Sequence, residues 1–401
     1  MLSSTSVPVI EATLPVVGEN ITTIAQRFYE HMFAAHPELF DGVFNRGNQA
    51  DGHQQQALAG SIAAFATMLL KNPDSVPEHL LSRISHKHAA LAIAPEQYQI
   101  VHENLFWAIG DVLGEAVTPE VAAAWDEVYW IIANTLINLE RGLYADFGGK
   151  PENIWRTWRV VEKRHETDDV VSIVVERTDE RDVYPSQPGQ YVTLQMPTKD
   201  GLHQPRQYSL TRTDDGHHRT FAVKRVHDAG KPEGEVSTLV HDSLKVGDEV
   251  TLSAPFGDVV LAGGDGPLVF ASAGIGVTPY AGMLNHLAAQ GSQREVLFLH
   301  AGTSPESFVL RDQITQDLAS LPNATLHSWF EQPGGELGPN EHQGFMDVTA
   351  VDLPQDATYY LCGPLPFMQA VRERLLGLGV PARKIQYEVF GPDLWQADTE
   401  E

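Results

Sequence analysis

The chain reads as a multidomain protein with three parts: an all-α segment, an antiparallel β-barrel, and an α/β lobe with a doubly wound parallel sheet. Three observations lead there. Apolar residues recur at helical spacing up to about residue 147, without strand-like alternation. After the turn-rich Gly148-Gly149-Lys150-Pro151, short β-branched runs separated by Gly and Pro take over. From Pro267 strand-like and helical runs alternate, the pattern of a parallel sheet covered by helices. The expected limits are residues 1–147, 152–263 and 266–401.

Bulk composition narrows the classes. A length of 401 residues accommodates two or three domains. No stretch approaches the ~20 apolar residues of a membrane span. The start, MLSSTSVPVIEATLP, lacks the basic opening and apolar run of a secretory signal. The single cysteine, Cys362, excludes an intrachain disulfide. A cytoplasmic, monomeric protein is expected. The net charge of −26 argues against nucleic acid or anionic membranes, both polyanions, as partners.

In the helical part, Thr118-Pro119-Glu120 opens the long run Val121 to Leu143, a cap residue followed by proline at the first helical position. Ala94-Pro95-Glu96 opens another. Pro37, Pro73 and Pro77 punctuate the remainder. The stretch 80–98 holds His86 and His88. Residues two apart on a helix face about 200° from one another, so they cannot do the same job. Leu81, Ile84, His88 and Leu91 share one stripe, and His88 points with the apolar residues.

Four other stripes each carry one polar residue. Tyr29 lies in the face Ile21, Ala25, Phe28, Met32 and Phe33. Gln54 heads Leu58, Ile62, Phe65 and Leu69. Tyr98 heads Val101, Leu105, Ile109 and Val112. Glu140 lies among Tyr129, Ile132, Leu136 and Leu143. The plain alternative is a bundle whose polar tips reach water. It leaves a glutamate on an apolar stripe without a partner, which is costly. One arrangement accommodates all five. His88 binds a metal through one ring nitrogen, Glu140 accepts from the other, and Tyr98 orients the pair. Tyr29 and Gln54 then face a ligand on the opposite side. A single protein ligand suits haem iron rather than zinc.

The stretches RFYEHMF (27–33), VFNRGNQADGHQQQAL (43–58), ISHKHAALAIAPEQYQIV (84–101) and INLERGLY (137–144) resemble the globin part of bacterial flavohaemoglobins. That resemblance implies His88 as proximal haem ligand, Tyr29 as distal tyrosine and Phe44 wedged against the haem. It puts Gln54 and Leu58 on the distal side and Lys87 at the haem–flavin boundary. His53 reads as a surface residue.

In the second part, strands are expected at Trp158–Val161, Val170–Glu176, Tyr191–Gln195, Arg219–Arg225 and Glu249–Leu252. Pro205-Arg206-Gln207-Tyr208-Ser209-Leu210 offers a guanidinium fork for phosphate and an aromatic plane for a ring system. Gly234-Glu235-Val236-Ser237-Thr238 is a glycine-then-hydroxyl turn leading into a helical run, Leu239 to Leu244, and helix starts bind phosphate. The two in that order resemble the FAD-binding barrel of the ferredoxin reductase superfamily. The resemblance implies Arg206 and the amides around Val236, Ser237 and Thr238 on the pyrophosphate. Tyr208 and Ser209 would lie by the flavin ring, with Gln207 in the same cofactor-binding stretch and Tyr191 at the adenosine side.

In the third part, Leu268–Ala271 runs into Ser272-Ala273-Gly274-Ile275-Gly276-Val277-Thr278-Pro279, and a helix follows from Tyr280 to Ala289. Glu295–His300, Ala324–Phe330 and Thr358–Cys362 are further strands. Gly274-x-Gly276 lets backbone approach a pyrophosphate. The third glycine of the dinucleotide fingerprint is absent, and Pro279 stands in that region. The G-x-G-x-T-P run, with Cys362-Gly363-Pro364, resembles the nicotinamide domain of ferredoxin reductases. Tyr387-Glu388-Val389-Phe390-Gly391-Pro392 matches the same module's end. There Phe390 covers a flavin face and Glu388 lies toward the globin. The tail DLWQADTEE reads as disordered or surface.

Taken over the whole chain, the sequence resembles a flavohaemoglobin. The resemblance implies a nitric oxide dioxygenase that converts NO and O2 to nitrate at haem b, reduced through FAD by NADH or NADPH. Ala301-Gly302-Thr303-Ser304 shows no arginine cluster for a 2′-phosphate, although Arg311 follows, which leans toward NADH. The alternatives are a haem-based sensor, or a related reductase acting on other donors or on hydroperoxides.

Overall fold

The computed structural model describes residues 2–44, 46–47, 52–72, 78–227, 233–391, 393 and 395, without the side chains of residues 53, 54, 56, 59 and 78–80. The expectations for the side chains of His53 and Gln54, and for Pro392, therefore fall outside the described residues. The chain divides into two compact units, residues 1–156 with 195–206, and residues 157–194 with 207–401.

The first unit contains helices α1 (Val7–Ala35), α2 (His53–Lys71), α3 (Glu78–Ala89), α4 (Pro95–Leu113) and α5 (Pro119–Tyr144). The starts of α4 and α5 follow the cap chemistry of the sequence. Gln97 Oε1 accepts from the Ala94 amide at 2.8 Å, and Thr118 Oγ1 accepts from the Val121 amide at 3.3 Å. α1 packs on α2 and α4, and α3 packs on α5. The apolar stripes meet in one core containing Ile24, Phe28, Met32, Phe65, Leu69, Leu105, Val128 and Leu136. Residues 195–206 join this unit through backbone and side-chain bonds. The Gly42 amide donates to the His203 carbonyl at 2.8 Å, and Gln204 Nε2 donates to the Phe40 carbonyl at 3.1 Å.

The antiparallel part has six strands: β1 (Arg156–Thr167), β2 (Val170–Arg177), β3 (Tyr191–Pro197), β4 (His203–Ser209), β5 (His218–Lys224) and β6 (Glu249–Leu252). Their order is β4-β3-β6-β1-β2-β5, and an antiparallel bridge between Leu210 and Phe221 joins the two ends into a barrel. Helix α6 (Glu235–Asp242) follows β5. Lys163 Nζ closes its C-terminal end, donating to the carbonyls of Val240, His241 and Leu244 at 2.7–2.9 Å.

The α/β lobe holds strands β7 (Leu268–Ala273), β8 (Val296–Gly302), β9 (Ala324–Phe330), β10 (Glu341–Gln343), β11 (Thr358–Cys362) and β12 (Ile385–Glu388). The order is β10-β9-β8-β7-β11-β12, with every neighbouring pair parallel. Helices α7 (Thr278–Ala289), α8 (Arg311–Ala319) and α9 (Leu365–Gly377) complete it. Two strands exceed the sequence expectation. β10 is three polar residues, too short to show a period, and β12 was legible only as an aromatic strand end. The start of the tail also departs from expectation. Tyr387 Oη donates to Asp393 at 3.1 Å, and Trp395 packs on Tyr387 with ring centroids 4.8 Å apart. An indole that can cover a tyrosine and an arginine stem does not stay in water. One core runs from the barrel into this lobe, with Val170, Ala222 and Val259 packing among Phe270, Tyr280, Met283 and Leu284. Among the described residues no helix is long and apolar enough to cross a membrane.

Candidate redox site

His88 stands in the last turn of α3, where its ring meets α4 and α5. Its Nδ1 lies 2.9 Å from Tyr98 Oη and 2.9 Å from Glu140 Oε1, and Tyr98 Oη donates to Glu140 Oε1 at 2.5 Å. These distances determine the tautomer. Tyr98 has one proton and gives it to the carboxylate, so its oxygen can only accept from His88. Nδ1 must therefore carry a proton, which in the neutral ring leaves the lone pair on Nε2. Burial first, and the Glu140 charge second, hold the Tyr98 phenol far above its ordinary pKa, so that proton stays in place. Glu140 is only 2% exposed, while the His88 side chain keeps 34% of its surface open.

Two further phenols hold this group. Tyr129 Oη donates to the Tyr98 carbonyl at 2.5 Å, and Tyr144 Oη donates to the Ile93 carbonyl at 3.0 Å. The sequence placed Tyr129 on the Glu140 stripe without indicating this bond, because its acceptor is a backbone atom.

Tyr29 is buried on α1 among aromatic rings. Its ring lies 5.7 Å from Phe33 and 6.1 Å from Phe44, the latter edge-on, and Phe33 meets Phe44 at 5.1 Å. Phe44 and Leu58 are half-buried against the same core. The residues fit a haem. An imidazole whose Nδ1 is engaged would hold the iron through Nε2, the carboxylate behind it would strengthen that bond, and an apolar cluster with one phenol lies elsewhere in the same core. No cluster of three or more His, Cys, Asp or Glu able to hold a metal ion by itself occurs among the described residues. Lys87 is half-buried beside His88.

In the barrel, Arg206, Gln207, Tyr208 and Ser209 end β4. Arg206 Nη1 reaches its neighbour's carbonyl, Pro205 O, at 2.7 Å. Tyr208 stacks on Phe221 at 5.5 Å, and Ser209 is buried. Tyr191 pairs its backbone with Phe256, and its ring lies against Gly257, where a Cβ would come to 3.2 Å from it. The three residues at the start of α6 separate into different tasks. Val236 is core. Ser237 Oγ accepts from the Val226 amide at 3.1 Å and donates to the Gly234 carbonyl at 3.0 Å, so it braces the turn. Thr238 Oγ1 is buried with no hydrogen-bond partner among the described residues. An orphaned hydroxyl beside first-turn amides fits a phosphate-bearing cofactor.

In the α/β lobe, β7 lies between β8 and β11, so the strand order reverses between the ends of β7 and β11. Nucleotides bind outside such strand ends. Gly274 takes a φ of +54°, a tight turn covers Gly274–Val277, and Pro279 enters α7 in its first turn. A Cβ at Gly276 would overlap the Cys362 carbonyl, so glycine lets the two strand ends abut. Thr278 Oγ1 donates to the Ile275 carbonyl at 3.1 Å. Cys362 is buried; Gly363 follows, and Pro364 stands at the N-cap of α9. After β12, Glu388 is buried and accepts from the Val389 amide at 3.0 Å. Phe390 is 50% exposed, and Gly391 has a φ of +114°.

A helical unit with one histidine backed by a carboxylate, joined to a barrel and a nucleotide-type sheet, defines a haem-domain oxidoreductase class. Family models agree by region: globin over residues 26–136, oxidoreductase FAD-binding domain over 157–260, and oxidoreductase NAD-binding domain over 270–373. The flavohemoprotein of Rhizobium meliloti (strain 1021) is 39% identical, covering 98% of this chain and 100% of that protein. The flavohemoprotein of Chromobacterium violaceum is 40% identical over 98% of both chains. A crystal structure of the Malassezia yamatoensis flavohemoglobin with bound FAD and heme matches with a TM-score of 0.89 at 40% identity, covering 97% of this chain and all of that one. The FAD/NAD-binding domain of a Vibrio cholerae nitric oxide dioxygenase matches with a TM-score of 0.55 at 36% identity, covering 59% of this chain and 99% of that one. The chain belongs to the flavohemoprotein family.

Proposed function

We propose that the protein is a nitric oxide dioxygenase with haem b, FAD and NAD(P)H as its redox groups. The overall reaction is 2 NO + 2 O2 + NAD(P)H → 2 nitrate + NAD(P)+ + H+. The observation that carries this reading is the buried His88–Glu140–Tyr98 group, in one chain with FAD- and NAD-binding oxidoreductase domains. A simple oxygen carrier needs neither a charged partner behind its histidine nor a reductase. The relatives and the Vibrio cholerae enzyme support the same activity.

When bound, the cofactors supply hydride acceptance, single-electron transfer and activation of oxygen. The chain supplies the surroundings. His88 Nε2 would hold the iron, made more basic by Nδ1–H donation to Glu140. Tyr29 would donate a hydrogen bond to the oxygen substrate, a contribution of about 1.5–3 kcal/mol. Phe44 and Leu58 exclude water. Arg206 and Thr238 bind the flavin's phosphates, and Tyr208, Ser209 and Phe390 bind its ring. The Gly274–Pro279 turn and Cys362-Gly363-Pro364 hold the nicotinamide nucleotide. Lys87 and Glu388 serve electron passage, each from its own unit. We place the domain limits at 1–147, 152–263 and 266–401, and the single cysteine fits the reducing cytoplasm.

The test is stopped-flow spectroscopy of the purified holoprotein with NADH, O2 and NO. Nitrate should form at two per NADH, with flavin and haem bands cycling. NADH oxidation indifferent to NO would overturn the proposal.

A further inference from the structure

Within the second unit, the segment that follows the RQYS stretch is locked to two helices of the α/β lobe. A Cβ at Gly282, midway along α7, would overlap the Leu210 carbonyl oxygen, so helix and strand touch backbone to backbone. One turn further along the same face, Asn285 Oδ1 accepts from the Thr213 amide at 3.0 Å. Asn285 Nδ2 meanwhile donates to both oxygens of Asp317 on α8, at 3.1 and 3.0 Å. One turn before Asp317, Gln313 Nε2 donates to the Thr211 carbonyl at 2.7 Å, in a fully buried bond. Three residues thus read the backbone of Leu210, Thr211 and Thr213 at three points. The same parts share a core in which Val170, Ala222 and Val259 pack with Tyr280, Met283 and Leu284.

The position of this lock is informative. Leu210 directly follows Ser209, the last residue of the proposed flavin stretch. α7 opens directly after the proposed nucleotide turn Gly274–Val277. One rigid helix therefore connects the nucleotide turn to the flavin strand, four residues from its own start. We infer that Gly282, Asn285 and Gln313 are positioning residues for hydride transfer, setting where the nicotinamide stands relative to the flavin ring. This inference rests on the proposed function. The step is the transfer of a hydride, one proton with two electrons, from C4 of the dihydronicotinamide to N5 of the flavin. The C–H bond breaks and an N–H bond forms, so that NADH and FAD become NAD+ and FADH−. Such transfers fail when the reacting atoms retreat, and about 1 Å of misplacement costs on the order of 10²-fold. A glycine at the contact, with a bidentate amide–carboxylate bond beside it, holds that distance with no side chain as spacer.

The experiment uses the full-length holoprotein. Gly282→Ala forces helix and strand apart by about 1 Å. Flavin reduction at saturating NADH should fall by roughly ten- to a hundredfold, with unchanged flavin content and unchanged ADP-ribose binding. The isotope effect with 4-deuterated NADH should rise. Because Gly282→Ala can also impair folding, a second pair of variants tests the polar lock. Asn285→Asp still accepts from Thr213 but sets two carboxylates face to face. Asn285→Asp with Asp317→Asn exchanges donor and acceptor and should recover the rate to within about twofold. Hydrogen exchange at the Thr213 amide, in flavin-free and flavin-loaded protein, reports the lock without any turnover. A single Asn285→Asp variant that exposes the Thr213 amide yet reduces flavin at the wild-type rate would overturn the inference. So would a double variant that restores the amide's protection but not the rate. If the wild-type protein passes no hydride from NADH to flavin, the proposed function fails first, and Thr213 exchange still reports the lock itself.

Discussion

Replacing Glu140 by glutamine separates the charge of the buried group from its shape. The amide keeps an acceptor oxygen where Glu140 Oε1 now receives Tyr98 Oη at 2.5 Å and His88 Nδ1 at 2.9 Å. What disappears is the negative charge. A hydrogen bond to a charged acceptor contributes about 1.5–3 kcal/mol, a neutral one about 0.5–1.5 kcal/mol. The His88 link therefore weakens by about 1–1.5 kcal/mol, and the basicity of Nε2 falls with it. At 1.4 kcal/mol per factor of ten, haem retention should drop about tenfold, the lower end of what such partners usually control. The assay is haem transfer to excess apomyoglobin. Tyr98→Phe is the control. It removes one donor from the carboxylate, costing about 1–3 kcal/mol of stability, but leaves the His88–Glu140 bond intact. Haem should then leave more slowly than from the Glu140→Gln protein. Wild-type haem transfer from Glu140→Gln, or faster loss from Tyr98→Phe, would refute the assigned order of these bonds.

Four further outcomes are expected. Tyr29→Phe should lower nitrate formation per NADH at unchanged haem content, and an unchanged yield would remove Tyr29 from the reacting side. Arg206→Ala should lower flavin content after gel filtration, and full flavin occupancy would count against that phosphate site. Lys163→Met strands three carbonyls at the end of α6, so flavin-loaded protein should lose about 2–3 kcal/mol in urea unfolding; a loss below about 0.5 kcal/mol would refute the cap. His300 is fully buried, and burial first, with Arg311 second, pushes its imidazole down to about 3. The unfolded chain takes up the proton from about pH 6.5 downward while the folded one does not, so stability is full above that pH and declines toward pH 3. About 2 kcal/mol should be lost between pH 7 and pH 5. His300→Gln should flatten that slope by the same amount in amide exchange of β8, and parallel slopes would show that the imidazole is not held neutral.

The helical stripes were legible because each rests on local periodicity. His88 separated from His86 by facing alone, and Glu140 was conspicuous as a charge on an apolar stripe. Their meeting needed three helices, yet the demand that a buried carboxylate find a partner already paired them. The α6 turn was legible as a place and not as an assignment. Sequence treats Val236, Ser237 and Thr238 alike, whereas the fold uses one as core, one as brace, and leaves one hydroxyl open. Gly282 was invisible for a different reason. A glycine inside a helix reads only as a weak helix former, and its purpose appears when Leu210, far away in sequence, arrives against it. β10 and the docking of Trp395 share that cause, since neither carries a period and both exist through what they pack on.

Burial acts in opposite directions on two internal groups, with one consequence. It raises the Tyr98 phenol, which therefore remains a donor, and lowers the His300 imidazole, which therefore remains neutral. A protein that moves electrons gains from a framework whose own protons do not move with them. A group near its pKa would take up or release a proton whenever a neighbouring charge changed, and part of the redox energy would go into that exchange. Groups displaced far from neutral pH stay as they are while electrons pass. Tyr98 and His300 satisfy that requirement chiefly through burial, with Glu140 and Arg311 adding to it in the same sense.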